Sequence, residues 1–466
     1  MRRIALATLL LTSACSMNPR LEVPPPPVAQ DYPGAAAPEA ASAAMLDWQE
    51  MFGDPRLQRL IALALENNRD LRIAALNVEA ARAQFRVARG AQLPALDANG
   101  GYTRQRVSAA TSQTGSGYEF SQFSATAALT SFEIDLFGRL RSQSEAAFER
   151  YLASDEGRRA ARIALIGSIV DAYLLERLAE EQLSLTERTL ADWQASLDIT
   201  RQLHAASQVS GLDIAQAEGQ VRQAEADHAM RTRMLAEARN ALQMLVGAPL
   251  PDGLPAPIPL MDQPIRTQLP VGLPSDLIVN RPDIRQAEHE LVAANADVGA
   301  ARAAFFPRIS LTGLFGFTSL ALDQLFDNDS RTWSFSPQVT QPIFHGGSLR
   351  GELRLAEVRK SIAIASYERA IQAAFREVAD GLAGRETFTR QSEAQRATQA
   401  AAARRAELSE LRYEAGLDDR LELLDAQRSD YAARLALLDL RRQELSSAAG
   451  LYRALGGGDL GSDDEN

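Results

Sequence analysis

The sequence predicts a mixed α+β chain, mostly α-helical, that runs one plan of elements twice. Three observations carry this. Helices, a strand-like region and a long helical hairpin follow one another in the same order in both halves. The hairpin helices are very long and step their apolar residues by three and four. Four short stretches instead alternate apolar and polar residues, the period of a half-buried strand.

Composition narrows the class. Of 466 residues, 46% are apolar and 23% charged, and the formal net charge is −11. That balance lacks the basic face of a nucleic-acid binder, so nucleic acid is not an expected partner. One cysteine cannot close an internal disulfide. Four histidines without an i, i+4 pair give no expected metal site. Beyond the first segment no run of about 20 apolar residues exists, which excludes membrane-spanning helices.

Residues 1–14 read as an export signal: Arg2 and Arg3, the apolar run Ile4 to Leu11, then the small residues Thr12, Ser13 and Ala14. Cys15 follows at once and is the candidate lipidation site, as in bacterial lipoproteins. A plain secretory signal with an incidental cysteine is the alternative. Cleavage before Cys15 removes two arginines and leaves a formal charge of −13. Ser16, rather than Asp, at the next position fits an outer-membrane address. From Pro24 to Ala44 the chain is too rich in Pro, Ala and Ser for a core and reads as a tether.

The first pass opens with Asp54-Pro55, an N-cap followed by proline at the first helical position. A helix to about Asn67 and a second from Asp70 to about Ala91 lead to Leu93-Pro94 and a strand-like region, 96–136. A helical stretch over about 139–205 turns at Gly211 into another reaching Val246. The second pass starts at Ser275-Asp276, with a helix from Pro282 to about Ala304. Phe306-Pro307 leads into strands within 309–343, and helix 348–414 turns at Gly416 into a last helix ending near Leu455. The expected domains are the signal 1–14, a lipidated tether 15–45, a first repeat 46–246, a linker 247–274, a second repeat 275–456 and an acidic tail 457–466. Helix 139–205 alone would span ~100 Å at ~1.5 Å per residue, with Ile163, Ile166, Val170, Leu174 and Leu178 forming a seam.

The strands distinguish this chain from an ordinary helical scaffold. Trp333, Phe335, Pro337 and Val339 alternate with Ser and Thr; Ile309, Leu311, Phe315 and Phe317 do likewise, as do Phe123, Ala125, Ala127 and Leu129. Phe123, Leu129, Leu311, Phe315, Phe317, Trp333, Phe335 and Val339 are the lipid-facing candidates. Ile134 and Leu136 have the opposite parity to Leu129, so a bulge is expected near Thr130. Four strands are too few to close a barrel. A soluble sandwich is one solution; a transmembrane barrel pooled from three chains, twelve strands in all, is another.

No catalytic constellation stands out, and no enzyme activity or cofactor is expected. Gly456-Gly457-Gly458-Asp459-Leu460-Gly461 matches a dinucleotide motif by letter but has no following helix. Gly211 and Gly416 are expected to supply the left-handed backbone that ends each long helix. Asp213…Gln216 and Asp419…Glu422 then fit caps of the helices that follow.

Longer motifs carry a resemblance. Arg281-Pro282-Asp283-Ile284-Arg285-Gln286-Ala287-Glu288, Phe306-Pro307-Arg308-Ile309-Ser310, Phe132-Glu133-Ile134-Asp135-Leu136-Phe137-Gly138-Arg139 and Tyr413-Glu414-Ala415-Gly416 together resemble the outer-membrane efflux proteins. Within them, the chain is similar to the lipidated NodT/OprM branch of the TolC-like channels, over about residues 46–456. The resemblance implies a homotrimer with a twelve-stranded outer-membrane β-barrel continued by a periplasmic α-helical barrel. It implies as partners a periplasmic adaptor (membrane fusion protein) and an inner-membrane RND-type transporter, and small toxic molecules or drugs as cargo. It makes Asp418 the leading pore-gate candidate, with Asp419, Arg420, Tyr413, Glu422 and Asp425 beside it. The tips Gly211-Leu212 and Gly416-Leu417 become adaptor contacts. Matching those two tips places Ala217 opposite Glu422, so the first half would lack the inner acid. A type I secretion conduit is the nearest rival function, and a periplasmic coiled-coil scaffold lipoprotein the next.

Overall fold

The computed structural model describes residues 17–29, 31–32, 46–111, 115–270, 277–278 and 281–457. The signal 1–14, Cys15, most of the tether, Ser275-Asp276 and Gly458 to Gly461 lie outside the described residues. The elements are α1 (Trp48–Met51), α2 (Pro55–Asn67), α3 (Arg69–Gly90), β1 (Leu96–Val107), β2 (Tyr118–Ile134), α4 (Arg139–Ala205), α5 (Gly211–Val246), α6 (Pro282–Ala303), β3 (Arg308–Ser319), β4 (Arg331–Thr340), α7 (Ser348–Glu414) and α8 (Arg420–Ala454). The repeat is visible in the lengths. α3 and α6 have 22 residues each, α4 and α7 have 67, and α5 and α8 have 36 and 35.

Two compact bodies each draw on both halves of the chain. The first comprises residues 1–25, 77–154 and 286–367; the second comprises 26–76, 155–285 and 368–466.

The first body holds one antiparallel sheet in the order β1-β2-β3-β4, so β1 and β4 are its two open edges. Directly paired residues share a face. Tyr102 faces Phe123, Leu96 faces Leu129, and Ala127 faces Phe315, which in turn faces Trp333. Leu311 faces Pro337, and Ile309 faces Val339. All eight lipid-facing candidates therefore lie on one side, with Ser124, Thr126, Ser310, Thr312, Ser334 and Gln338 on the other. The β2 register shifts by one residue between Leu129 and Phe132, where Ser131 takes a positive φ of 50°. That bulge keeps Phe132 and Ile134 on the apolar side despite their changed parity. At the β1–β2 hairpin end the apolar face gives way to Arg104, paired with Glu119 at 3.0 Å.

Below the strands, small residues let helices of this body approach: Ala146 of α4 packs with Ala293 and Ala296 of α6. Phe137 and Phe306, which precede α4 and β3, stack at 4.7 Å. The N-terminal segment enters the same body. The Asn18 carboxamide donates to Glu145 at 2.8 Å and accepts from the Ser142 hydroxyl at 2.7 Å, while Asn295 donates to the Pro19 carbonyl at 3.0 Å. A Cβ at Gly299 of α6 would overlap that carboxamide.

In the second body Asp54 is the buried node. Its side chain caps α2 through the Arg56 N–H at 2.8 Å and accepts from the Tyr173 hydroxyl at 2.6 Å and Gln263 at 2.9 Å. Burial, with the Asp54 carboxylate beside it, holds the Tyr173 phenol well above its ordinary value. Arg281 is likewise buried and bonds Asp283 and Glu377, at 2.6 and 2.8 Å, and the Ala454 carbonyl. The first residues of the Arg-Pro-Asp-Ile run thus tie α6, α7 and α8. Farther along, Leu185, Trp193 and Leu197 of α4 pack with Ala217 and Val221 of α5 and with Tyr431 of α8.

The docked Asn18 gives a direct test. Gly299→Val should expel residues 17–19 from their seat and make cleavage before α1 at least ten-fold faster in limited proteolysis, with helix content retained. Unchanged protection of the segment would show that the seat has room for a side chain.

Candidate functional site

Both long hairpins end in the same turn chemistry, built from different residues. After α7, Gly416 has a positive φ of 69°. The Leu417 N–H reaches back to the Arg412 carbonyl at 2.8 Å and the Gly416 N–H to the Tyr413 carbonyl at 3.0 Å. That pair of bonds satisfies the last carbonyls of the helix in a Schellman turn. After α4, Ser207 takes the same left-handed backbone, with φ 62°. The Gln208 N–H bonds the Leu203 carbonyl at 2.9 Å and the Ser207 N–H bonds the His204 carbonyl at 2.8 Å. Gly211, expected to be that left-handed residue, is instead the first residue of α5. A serine at the turn concealed it, because its sequence signal is a glycine.

This shifts the correspondence of the two tips by four residues. Ser207 stands opposite Gly416, and the caps Ser210 and Asp419 stand opposite each other. The expected Asp213…Gln216 cap is a Ser210–Asp213 capping box: the Asp213 carboxylate accepts from the Ser210 N–H at 2.8 Å and hydroxyl at 2.6 Å. Those bonds lower the Asp213 pKa. The Asp419…Glu422 arrangement is present, with Asp419 accepting from the Glu422 N–H at 3.0 Å. In this register Asp213, not Ala217, corresponds to Glu422, so the first half does carry the acid.

Every acidic candidate at the second tip has a cationic or backbone partner. Asp418 forms a two-pronged pair with Arg412, both bonds 2.7 Å, and the guanidinium holds its carboxyl below the usual range. Arg405 bridges from α7 to Glu422 and Asp425 of α8, each at 2.9 Å. Arg405, then Arg428, lower the Asp425 pKa. Because the folded values of Asp418 and Asp425 are lowered, their pairs contribute fully at neutral pH. The contribution fades as acid takes the pH from about 4 down through the lowered values.

Arg420 is the fastener of this tip. It is buried, donates to the Ser196 hydroxyl of α4 at 2.8 Å and to the Tyr413 hydroxyl at 3.3 Å, and lies over the Tyr413 ring at 5.6 Å. One side chain thus joins α4, α7 and the start of α8, and its charge contributes to the lowered Asp213 pKa. Around these polar contacts, leucines face outward. Leu212 and Leu421, equivalent positions after the two caps, are 66% and 54% exposed, and Leu417 is 68% exposed.

No helix among the described residues is long and apolar enough to cross a membrane. No group of three His, Cys, Asp or Glu there is arranged to hold a metal ion. His289 bonds Glu149 at 2.6 Å, and His204 bonds the Val209 carbonyl at 2.9 Å.

Sequence comparison decides the family. The model of the outer membrane efflux protein family matches residues 60–248 and 273–457, one match in each half. The chain belongs to the outer membrane efflux protein family. It is 43% identical over 456 residues to the probable efflux pump outer membrane protein TtgC of Pseudomonas putida, covering 97% of this chain and 94% of that one. It is 45% identical over 458 residues to the outer membrane protein OprJ of Pseudomonas aeruginosa, covering 97% and 95%. Among solved structures it is similar to a Pseudomonas aeruginosa membrane protein, with TM-score 0.89, 43% identity and coverage of 96% and 99%. It is also similar to the open state of the MtrE outer membrane channel of Neisseria gonorrhoeae, with TM-score 0.87, 41% identity and coverage of 95% and 98%. The efflux protein has the expected mostly helical fold with four barrel strands per chain and lies in the outer membrane as the channel of an efflux system. Its family is one of channels and transport proteins, not of enzymes.

The four-residue shift is testable. Gly416→Ala should destabilise its turn by about 1 kcal/mol, and Ser207→Gly should stabilise the other by a similar amount. Amide exchange at residues 203–213 should therefore slow about five-fold in Ser207→Gly. No change there would place the left-handed residue elsewhere.

Proposed function

We propose that this efflux channel is anchored by acylated Cys15 and works as a homotrimer. It accepts small toxic molecules, drugs among them, from a periplasmic adaptor and an RND-type inner-membrane transporter. The observation that carries the reading is the sheet. One face is apolar across all four strands, the other is hydroxyl- and amide-rich, and both edges are open. Lipid on one side and a wet lumen on the other satisfy the two faces. Pairing β4 of each copy with β1 of the next satisfies the edges, and three copies supply twelve strands. The names of the relatives support the cargo class: one is called a toluene efflux pump protein and another an antibiotic efflux pump protein.

At the periplasmic tip the Asp418–Arg412 pair is the proposed pore lining, with Asp419, Tyr413, Arg420, Glu422 and Asp425 holding the turn in place. Threefold repetition gives a ring of paired charges rather than of bare carboxylates, so its cation preference depends on how far Arg412 offsets Asp418. The exposed Leu212, Leu417 and Leu421, with Gly211 and Gly416 at their turns, are the proposed adaptor contacts.

Detergent extraction, mass measurement and planar-bilayer recording test the whole reading. A trimer that conducts and carries acyl chains at Cys15 is expected; a soluble monomer would overturn it. In the same recordings Arg412→Ala should raise cation selectivity, and acidification should abolish it at a higher pH than in the parent, because Asp418 returns towards its ordinary range. Asp418→Ala should weaken selectivity. If neither changes it, the pair only closes the turn. Leu212→Asp should prevent adaptor binding while the trimer persists; retained binding would remove this leucine from the contact.

A further inference from the structure

The two halves of the chain contain equivalent helix joints, and one of them differs from the other by a cluster of arginines. α4 and α7 have the same length and are followed by the left-handed residues Ser207 and Gly416, so Arg158 stands for Tyr367 and Arg162 for Ile371. α3 and α6 also have the same length, so Asn68, just before α3, stands for Arg281, just before α6. The contacts agree with this alignment. The Asn68 carboxamide donates to the Leu245 carbonyl near the end of α5 at 2.7 Å, and Arg281 donates to the Ala454 carbonyl at the end of α8 at 2.8 Å.

In the second half the joint is closed. Tyr367 and Ile371 are buried, and Arg281 is held by Asp283 and Glu377. In the first half the corresponding side chains leave a cavity of about 470 Å³ between the end of α2, the start of α3 and one face of α4. That is within the size range of small-molecule sites. Arg69 and Arg72 of α3 and Arg158 and Arg162 of α4 line it, with Glu66 as the one acid of the lining. Arg158 also bonds Asp155 at 3.1 Å. Four arginines against these two carboxylates leave a formal charge of +2. Arg158 and Arg162 lie four residues apart on one helix face, where like charges repel. The Arg158 side chain is only 32% exposed, so water and salt screen it incompletely. α3 begins at the same cavity, and the positive end of its dipole adds to the field instead of offsetting it.

We propose that this cavity binds a phosphate monoester, held by Arg158 and Arg162 from α4 and by Arg69 and Arg72 from α3. Guanidinium forks match phosphate oxygens in pairs. A phosphate monoester carries close to −2 at neutral pH, which balances the charge of the lining. The cavity is larger than a phosphate group, and its organic substituent has room beside Leu65, Leu71 and Ala75. No residue of α3 is buried, so a ligand gripped from both helices braces the start of α3 against α4. All four arginines belong to the second body of one chain, and the site needs no second copy.

Equilibrium dialysis and thermal unfolding of the full-length protein in detergent test the site, with glycerol 3-phosphate and inorganic phosphate as probes and chloride at equal ionic strength as the control. Glycerol 3-phosphate should bind once per chain and, at saturation, raise the unfolding temperature by about 3 °C or more. Arg158→Tyr with Arg162→Ile copies the closed joint. In that variant the affinity should fall about ten-fold or more and the temperature rise should vanish, while the protein still conducts in planar bilayers. Arg158→Gln with Arg162→Gln should lose binding in the same way, which separates a lost site from a misfolded chain. Tighter binding of the ester than of inorganic phosphate supports a monoester as the ligand; equal binding supports free phosphate in the same arginine cluster. A parent protein that conducts but shows no saturable binding overturns the site and leaves the channel reading standing. Undiminished binding in both double variants also overturns it.

Discussion

Backbone hydrogen bonding in hydrocarbon is the constraint on which this protein depends. A strand in the bilayer has no water to satisfy its N–H and C=O groups, so a sheet edge there must be paired. One copy of this chain offers four strands with both edges open. The edges of one copy's sheet therefore call for partners, and its apolar and polar faces match lipid on one side and water on the other. Composition conceals this. Half of each strand is polar because half of it meets water, and a net charge of −11 with no apolar span looks like a soluble protein.

Most of the fold was legible because its signals are periodic. Alternation marks β3 and β4 to within a residue or two, and the parity change between Leu129 and Ile134 marks the place of the bulge. Asp54-Pro55 marked the start of α2 in the same way. The tips were less legible. Gly211 and Gly416 look equivalent in sequence, yet the left-handed residue of the first turn is Ser207, a type with no turn signature at that position. Pairings between distant residues left no local trace either: nothing near Arg420 announces Ser196, which is 224 positions away. The Asp418–Arg412 pair was closer to hand, six residues apart across a turn. Even so, no local pattern marks it, because the turn that brings Arg412 back to Asp418 is set by the backbone of Gly416 and not by either charge.

The tip between α7 and α8 combines two kinds of contact with different consequences. Arg420 is buried and triply engaged, so releasing it leaves a charge without solvent, a cost that resists loosening. The Asp418–Arg412 pair, half-buried on the Asp418 side, and the exposed Arg405–Glu422 pair lie at the surface and are individually weaker. A tip held in this way has one firm fastening and several weaker ones around it.

The bulge in β2 bears on how such a chain can change over time. Adding or deleting one residue in a regular strand turns every later side chain to the opposite face, which would expose polar groups to lipid and apolar groups to the lumen. β2 carries one extra residue against β3, yet it keeps its apolar side on one face, because the bulge at Thr130 and Ser131 absorbs it. A strand with such a bulge can therefore take up an extra residue without turning its apolar side to the other face.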